Sequence, residues 1–344
     1  MRFLPTEEQL AFARSLSAQL TAADPPTLIR SWAAGDFAAG RALWSRLAET
    51  GLFALAVTEE HTGLGDHPVE LALAYRELGR HAVPGPLVET AAAATLLHHL
   101  GEPALAKRLL PSIVSGEAIT TLHLAAVPAE PTGYRAMEAN PYVLDPQAAT
   151  LLLAVPASAR GEAELRLSPG HGPVIRSTDP ARRLATPVAG GELLAGGPAV
   201  RAAARQAARR AALLTAAQAL GCGEALLAAT VAHAKRRTQF GVPIGGFQAV
   251  KHRLADTFLA LEFARPLLWA AAVSGVPADI AAAKLTAGEA AYRAARTALQ
   301  VHGAIGYTEE LDLSLWIRKA RPLRDAWGNP AQCRARVRAV PSPP

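Results

Sequence analysis

An arginine that ends a helix and runs into a Gly/Pro turn has the plainest chemical capacity in this 344-residue chain. Arg237 closes a long Ala-rich stretch and is followed by Thr238-Gln239-Phe240-Gly241-Val242-Pro243-Ile244. A guanidinium in that place can make two parallel charge-assisted hydrogen bonds to a phosphate. It can also complement the negative end of the helix dipole with no ligand at all, and the segment alone leaves both readings open. His302, in Gln300-Val301-His302-Gly303-Ala304, has the side chain of an acid–base group and equally of a spacer packed between helices. Cys222 and Cys333 have no metal-type spacing and imply no disulfide framework. Cys222 falls in an apolar helical run and reads as a buried small hydrophobe.

The elements that must position these residues change character along the chain. Thr6 caps a first helix, with Glu7 and Glu8 in the turn where the dipole favours acids. Leu43, Trp44, Leu47 and Ala48 recur at helical spacing. A helix stop at Gly51, an apolar connector and a Gly-rich loop to Gly65 follow, and helix resumes from Val69 to Gly79. Helix is expected to about residue 115. From Gly116 to about Ala195, Pro and Gly bound short apolar runs, which read as strands: 118–122, 142–144, 150–155 and 163–167. Helices are then expected over roughly Val200–Arg236, from near Phe247, from near Ala278, and around Leu313–Lys319, a pattern that suits an antiparallel bundle.

The net charge of +6 is carried mostly by arginine, since Lys107, Lys235, Lys251, Lys284 and Lys319 are the only lysines. The charges are spread and aromatic residues make up 5%, so no stacking platform for nucleic acid is visible. The excess suits attraction of anionic small molecules. The N-terminus lacks an apolar signal core, and no uninterrupted apolar run is long enough to span a bilayer. The expectation is a soluble cytoplasmic protein.

Beyond Ile244 the chain continues through Phe247-Gln248 to Lys251-His252-Arg253-Leu254-Ala255-Asp256, and the whole resembles the RxQFGxPI…FQxxKHxLAD signature of the acyl-CoA dehydrogenase family. Gln300 to Thr308 resembles the family's Q-x-x-G-G turn, with Ala304 in place of the second glycine. The loop Thr58–Gly65, the helix Tyr75-Arg76-Glu77-Leu78-Gly79-Arg80 and the segment Ser177–Leu184 resemble its PEExGGLG, EELGR and D-x-x-R-x-L elements. The resemblance implies a mostly α fold with a small central β domain: an N-terminal helical domain over 1–115, a middle β domain over 116–195 and a C-terminal helical bundle over 196–340. It further implies that Arg237, Gln239 and Phe240 contact the pyrophosphate and adenosine of an FAD seated in a neighbouring protomer. Phe247 and Gln248 belong to the same signature, and Gln300, Gly303 and Ala304 to the turn that binds the adenosine-diphosphate half. With the resemblance, phosphate binding becomes the preferred role of Arg237, and a spacer that of His302.

The departures concern the redox half. The family's base lies in a Y-E-G-T stretch shortly after an R-x-A-R/K segment. Arg318-Lys319-Ala320-Arg321 aligns with that segment, which puts Trp327 at the glutamate, Gly328 at the glycine and Asn329, a further implied cofactor contact, at the threonine. The alternative base position, on the first bundle helix, falls near Ala211. Neither has a carboxylate, Asp325 is two residues off register and Glu224 lies elsewhere on the helix. In the middle domain, Thr120 to Ala126 occupies the place of the T-E-x-x-A-G-S-D element, and no tryptophan stands between Trp44 and Trp269 for the W-I-T strand.

These features imply the non-catalytic subunit of a heterotetrameric acyl-CoA dehydrogenase. A homologous catalytic subunit supplies the glutamate and the isoalloxazine pocket. The complex desaturates an acyl-CoA thioester between Cα and Cβ and passes electrons to an electron-transfer flavoprotein. The alternatives are a stand-alone flavoenzyme with other chemistry, such as a flavin monooxygenase, and a cofactor-free structural paralogue.

Overall fold

The computed structural model describes residues 4–125, 141–157 and 163–339. α1 (Glu7–Ala22) starts at the expected cap: the Thr6 hydroxyl accepts from the Gln9 N–H while the Gln9 side chain accepts from the Thr6 N–H. This reciprocal box satisfies two donors that a helix start leaves unpaired. α2 (Pro25–Ala34) and α3 (Ala38–Glu49) follow. The apolar connector winds into a 3-10 turn over Leu52–Leu55 and then a short antiparallel pair, β1 (Ala56–Val57) with β2 (Gly65–Asp66). A Cβ on Gly63 would stand 1.9 Å from the Val57 carbonyl oxygen, so the loop between these strands closes only with glycine there. α4 (Pro68–Arg80), α5 (Leu87–His99) and α6 (Pro103–Val114) complete the helical run.

The strands fall where Pro and Gly bound the apolar runs. β3 (Thr120–Leu124), β4 (Val143–Leu144), β5 (Leu151–Val155), β6 (Glu164–Leu167), β7 (Ile175–Arg176), β8 (Arg183–Ala185) and β9 (Glu192–Gly196) form two sheets. One has the order β3-β5-β6-β9, with β3 and β5 parallel and the other pairs antiparallel; the second has the order β4-β8-β7. The D-x-x-R-x-L segment is a tie. Asp179 caps the turn at Ala181, and Arg183 donates to the Gln147 side chain at 2.6 Å and the Ala33 carbonyl at 2.6 Å.

α7 (Pro198–Arg236) runs 39 residues without a break. The Gly/Pro turn after it forms a two-residue hairpin, β10 (Thr238–Gln239) with β11 (Val242–Pro243). α8 (Gln248–Ser274), α9 (Pro277–His302) and α10 (Leu313–Asp325) follow, so the last expected helix runs six residues beyond Lys319. A further helix, α11 (Pro330–Arg338), is not anticipated, because its arginines mask any apolar period. The described chain is thus the expected mostly α fold with a small β part. Its compact units do not follow chain order. One draws on Met1–Ile29, Ala72–Val83 and Leu213–Val337, the other on Arg30–Leu71, Pro84–Ala212 and Arg338–Pro344.

By length and composition alone, α7 and α8 are each long and apolar enough to cross a membrane, although neither is an uninterrupted apolar run. The most apolar stretch of α7 is 83% buried inside the protein, as in a core helix; that of α8 is 39% buried.

Within the first unit, α4 crosses α7 backbone to backbone. A Cβ on Gly79 would meet the Gln218 carbonyl oxygen at 2.1 Å, and one on Gly221 would meet the Arg76 carbonyl oxygen at 1.8 Å. Beside the crossing, Glu224 accepts from Arg76 at 2.8 Å and from Arg265 of α8 at 2.9 Å. The carboxylate is buried and fully engaged, which makes it a clamp and not a base. We expect Gly221→Ala to force the helices apart and to cost about 1–3 kcal/mol, the range for overpacked sites. A lowered urea midpoint with an unchanged denaturant slope checks this; an unshifted midpoint would mean that the crossing gives way freely.

Candidate functional site

The ends of α7 and α9 meet at two histidines. The His233 and His302 rings lie 4.0 Å apart, tilted by 30°. His302 Nδ1–H donates to the Ala298 carbonyl at 2.8 Å, so this ring is held against its own helix as a packing element. Arg237 follows one turn after His233, whose carbonyl accepts the Arg237 N–H at 2.9 Å, and Gln300 precedes His302 by two residues. The two helix ends thus form one corner at the histidine contact, and Arg237, Gln239, Phe240, Gln300, Gly303 and Ala304, which flank the pair along the chain, are all exposed. The hairpin folds back on α7, with the Ile244 N–H donating to the Arg237 carbonyl at 2.8 Å.

Phe240 is 92% exposed in a left-handed conformation with φ +53°, and its ring meets that of Phe247 edge to face at 6.3 Å. Gln248 opens α8 beside Phe247. Gly303 has φ +63° and no atom within 4 Å of where a Cβ would sit, which leaves its backbone open to a ligand. The Arg237 guanidinium has no ion pair or hydrogen bond among the described residues. An exposed aromatic, an unengaged guanidinium, two glutamines and an open glycine fit the adenosine-diphosphate half of FAD.

Asn329 directly precedes α11. Its side chain caps α11, accepting from the Gln332 N–H at 2.9 Å while Gln332 accepts from the Asn329 N–H at 3.0 Å. Nothing among the described residues links it to Arg237 or Gln300. Its neighbour Trp327 is half-buried with φ +54°, a conformation that costs a non-glycine residue about 1–3 kcal/mol. Ala211 is fully buried, and Asp325 is exposed beside Arg324. Neither base position offers a carboxylate.

The turn bearing Trp327 is held from below by a residue that sequence reasoning passed over. Lys284, buried in α9, donates to the carbonyls of Leu323 at 3.0 Å, Arg324 at 2.8 Å and Gly328 at 3.2 Å. A buried ammonium is tolerated because these carbonyls take its protons and lie at the negative end of α10. The available signal was a single lysine in the Ala-rich run Ala281-Ala282-Ala283-Lys284. Burial pushes the neighbouring Cys333 thiol up, which keeps it protonated.

In the described part of the β domain, two hydroxyls beside β3 are turned to backbone carbonyls. The Thr121 hydroxyl donates to the Leu144 carbonyl at 2.7 Å, Thr90 to the Thr120 carbonyl at 2.6 Å, and β5 is aliphatic throughout. Ala126, the end of the segment expected in the place of the family's flavin loop, lies outside the described residues.

Comparison with known proteins agrees with this architecture. Residues 6–117 match the acyl-CoA dehydrogenase N-terminal domain and residues 201–337 the C-terminal domain. The acyl-CoA dehydrogenase IpdE2 of Mycobacterium tuberculosis is 32% identical over 92% of both chains. Among solved structures, a chain of the ChsE4-ChsE5 complex from Mycobacterium tuberculosis superposes with a TM-score of 0.82 at 26% identity over 100% of both chains. Butyryl-CoA dehydrogenase from Megasphaera elsdenii gives 0.83 at 22% identity over 99% of both, a likeness of fold.

The histidine pair makes this corner sensitive to acid. His233 is held below its ordinary value of 6.5, by burial first and then by His302, Arg236 and Arg237. The unfolded chain therefore takes up the proton more readily than the folded one. The stability tied to this group is complete above the unfolded value and is lost as pH falls through the folded value. We expect the melting temperature to fall below about pH 6.5, and His233→Gln to flatten part of that fall. His98, also held low by burial, contributes in the same direction. Identical profiles for the two proteins would contradict this.

Proposed function

The chain belongs to the acyl-CoA dehydrogenase family, and on that premise we propose that it is the non-catalytic subunit of a heteromeric FAD-dependent acyl-CoA dehydrogenase, working in the cytoplasm and lending the adenosine-diphosphate half of the cofactor site to a homologous catalytic subunit. One contrast carries the reading. The Arg237–Gln300 corner is exposed and unengaged, while the two base positions hold the buried Ala211 and the half-buried Trp327. A general base contributes on the order of 10²–10⁴ in rate, so a chain without one needs a partner that has it. The likeness to the ChsE4-ChsE5 complex, a solved assembly of two named components, supports a heteromer.

In the complex, Arg237 would grip the pyrophosphate with its planar fork, and Gln239, Phe240, Gln300, Gly303 and Ala304 would seat the adenosine. Phe247 would fix the Phe240 ring from the side, with Gln248 at the start of the helix behind it. The chemistry FAD supplies when bound is acceptance of hydride from the acyl β-carbon, with onward transfer to an electron-transfer flavoprotein. The partner's carboxylate removes the α-proton of the thioester. This chain's own work is binding and orientation.

Arg237→Ala should lower FAD occupancy of the reconstituted complex without preventing assembly. A charged hydrogen bond of this kind is worth about 1.5–3 kcal/mol, or about one to two decades in affinity. Arg237→Lys should recover only part of it, since a point charge lacks the fork. The measurement is flavin absorbance per complex after gel filtration at limiting FAD; unchanged occupancy in the alanine variant would remove the reading's basis. Trp327→Glu should leave the isolated chain inactive, because a carboxylate works only within reach of a held thioester and flavin. A dehydrogenase made by that one substitution would show that this chain seats the flavin itself.

A further inference from the structure

His233 stands on the face of α7 that ends in Arg237. The two residues are four apart, and the Arg237 N–H donates to the His233 carbonyl at 2.9 Å, so the helical turn carries through between them. Side chains four apart leave a helix on the same side, about 5.4 Å apart along its axis. The His233 ring is half-buried, with His302 stacked on it at 4.0 Å. Neither of its nitrogens has a hydrogen-bond partner among the described residues, and neither is sealed from solvent. The stack occupies a face of the ring and leaves its polar edge available, one turn from an unengaged guanidinium.

Every titratable group that acts on this ring is a base. His302 faces it from α9, and Arg236 and Arg237 follow it on its own helix. The segment 238–247, whose Ile244 N–H returns to the Arg237 carbonyl, has no titratable side chain, and no carboxylate acts on the ring among the described residues. Burial first, and then these three neighbours, disfavour the imidazolium. A phosphate held at Arg237 would reverse the sign of the local field, since an opposite charge within about 4–6 Å favours the charged form of a titrating group. An uncharged ligand would not.

We propose that His233 is a further anion-binding residue of this corner: as imidazolium it joins Arg237 on the diphosphate of the cofactor, so that binding takes up one proton. The inference deepens the proposed function and rests on its reading of Arg237 as a diphosphate ligand. The proton passes from buffer to a ring nitrogen of His233, and no bond to phosphorus forms or breaks. The imidazolium is more favoured in the bound state than in the free one. The extra affinity is therefore complete below the free-state value and is lost as pH rises through the bound-state value. It runs against the acid response of the empty fold, so bound cofactor offsets part of the stability lost at low pH.

The test titrates FAD into the flavin-free complex of this chain with a homologous acyl-CoA dehydrogenase subunit that carries the catalytic glutamate. Wild type, His233→Gln, His233→Lys and Arg237→Ala are compared by fluorescence at about pH 6 and about pH 8. Wild type should bind FAD about threefold or more tightly at the lower pH, and His233→Gln should lose that difference. His233→Lys, a cation at both values, should bind tightly at both, which a merely structural role would not produce. Calorimetry of the wild-type complex near pH 6.5, in two buffers of different ionisation enthalpy, should report net proton uptake that His233→Gln removes. Zero uptake overturns the inference, as does uptake or pH dependence that survives in His233→Gln. If either result comes with weaker binding in Arg237→Ala, the inference falls and the diphosphate reading of Arg237 stands. If Arg237→Ala binds FAD as wild type does, the reading falls and this inference with it.

Discussion

Four consecutive residues of α7 between them meet α4, α8, α9 and α10. Gly221 lets α4 approach until a Cβ would overlap the Arg76 carbonyl. Cys222 is buried with its sulfur 3.6 Å from the Trp316 carbonyl of α10. A Cβ on Gly223 would stand 2.7 Å from Leu261 of α8 and 3.1 Å from the Cα of Ala291 in α9. Glu224 then clamps Arg76 and Arg265. The bundle closes around this point because the two glycines carry no side chains and the glutamate pairs with two half-buried guanidinium groups. Fixing α7 there fixes what its C-terminal turns present: His233 against His302, and Arg237 beyond them. The cofactor corner is thus a consequence of packing three to four turns away.

The turn where the resemblance would place the family's base is well supported. Lys284 still gathers the carbonyls at the end of α10, and Asn329 still starts α11. Between them Trp327 sits in a left-handed turn that has no base to position. The arginine-rich surface tells the same story from outside. The Arg237 guanidinium has no ion pair or hydrogen bond among the described residues, and there a second molecule can supply the anion. A chain with such a cation and no carboxylate at either base position is what the proposed role as a partner subunit requires.

The parts of this architecture that were readable from sequence are local. The turn from Arg237 to Ile244, the Thr6 cap and the Pro- and Gly-bounded strands depend on residues a few positions apart, and backbone sterics act at that range. Gly221, Gly223 and Lys284 were not readable, since their roles depend on which helix passes beside them. α11 escaped notice because arginines fill its exposed face. Asn329 was read as a cofactor contact through the resemblance and proves to be engaged as a helix cap.

The most direct test of the account is the flavin content and acyl-CoA turnover of the purified chain alone, measured beside the same chain mixed with a glutamate-bearing homologous subunit. The account predicts a colourless, inactive protein alone and a yellow, acyl-CoA-reducible complex after mixing. One FAD per chain in the isolated protein, bleached on addition of an acyl-CoA, would contradict it.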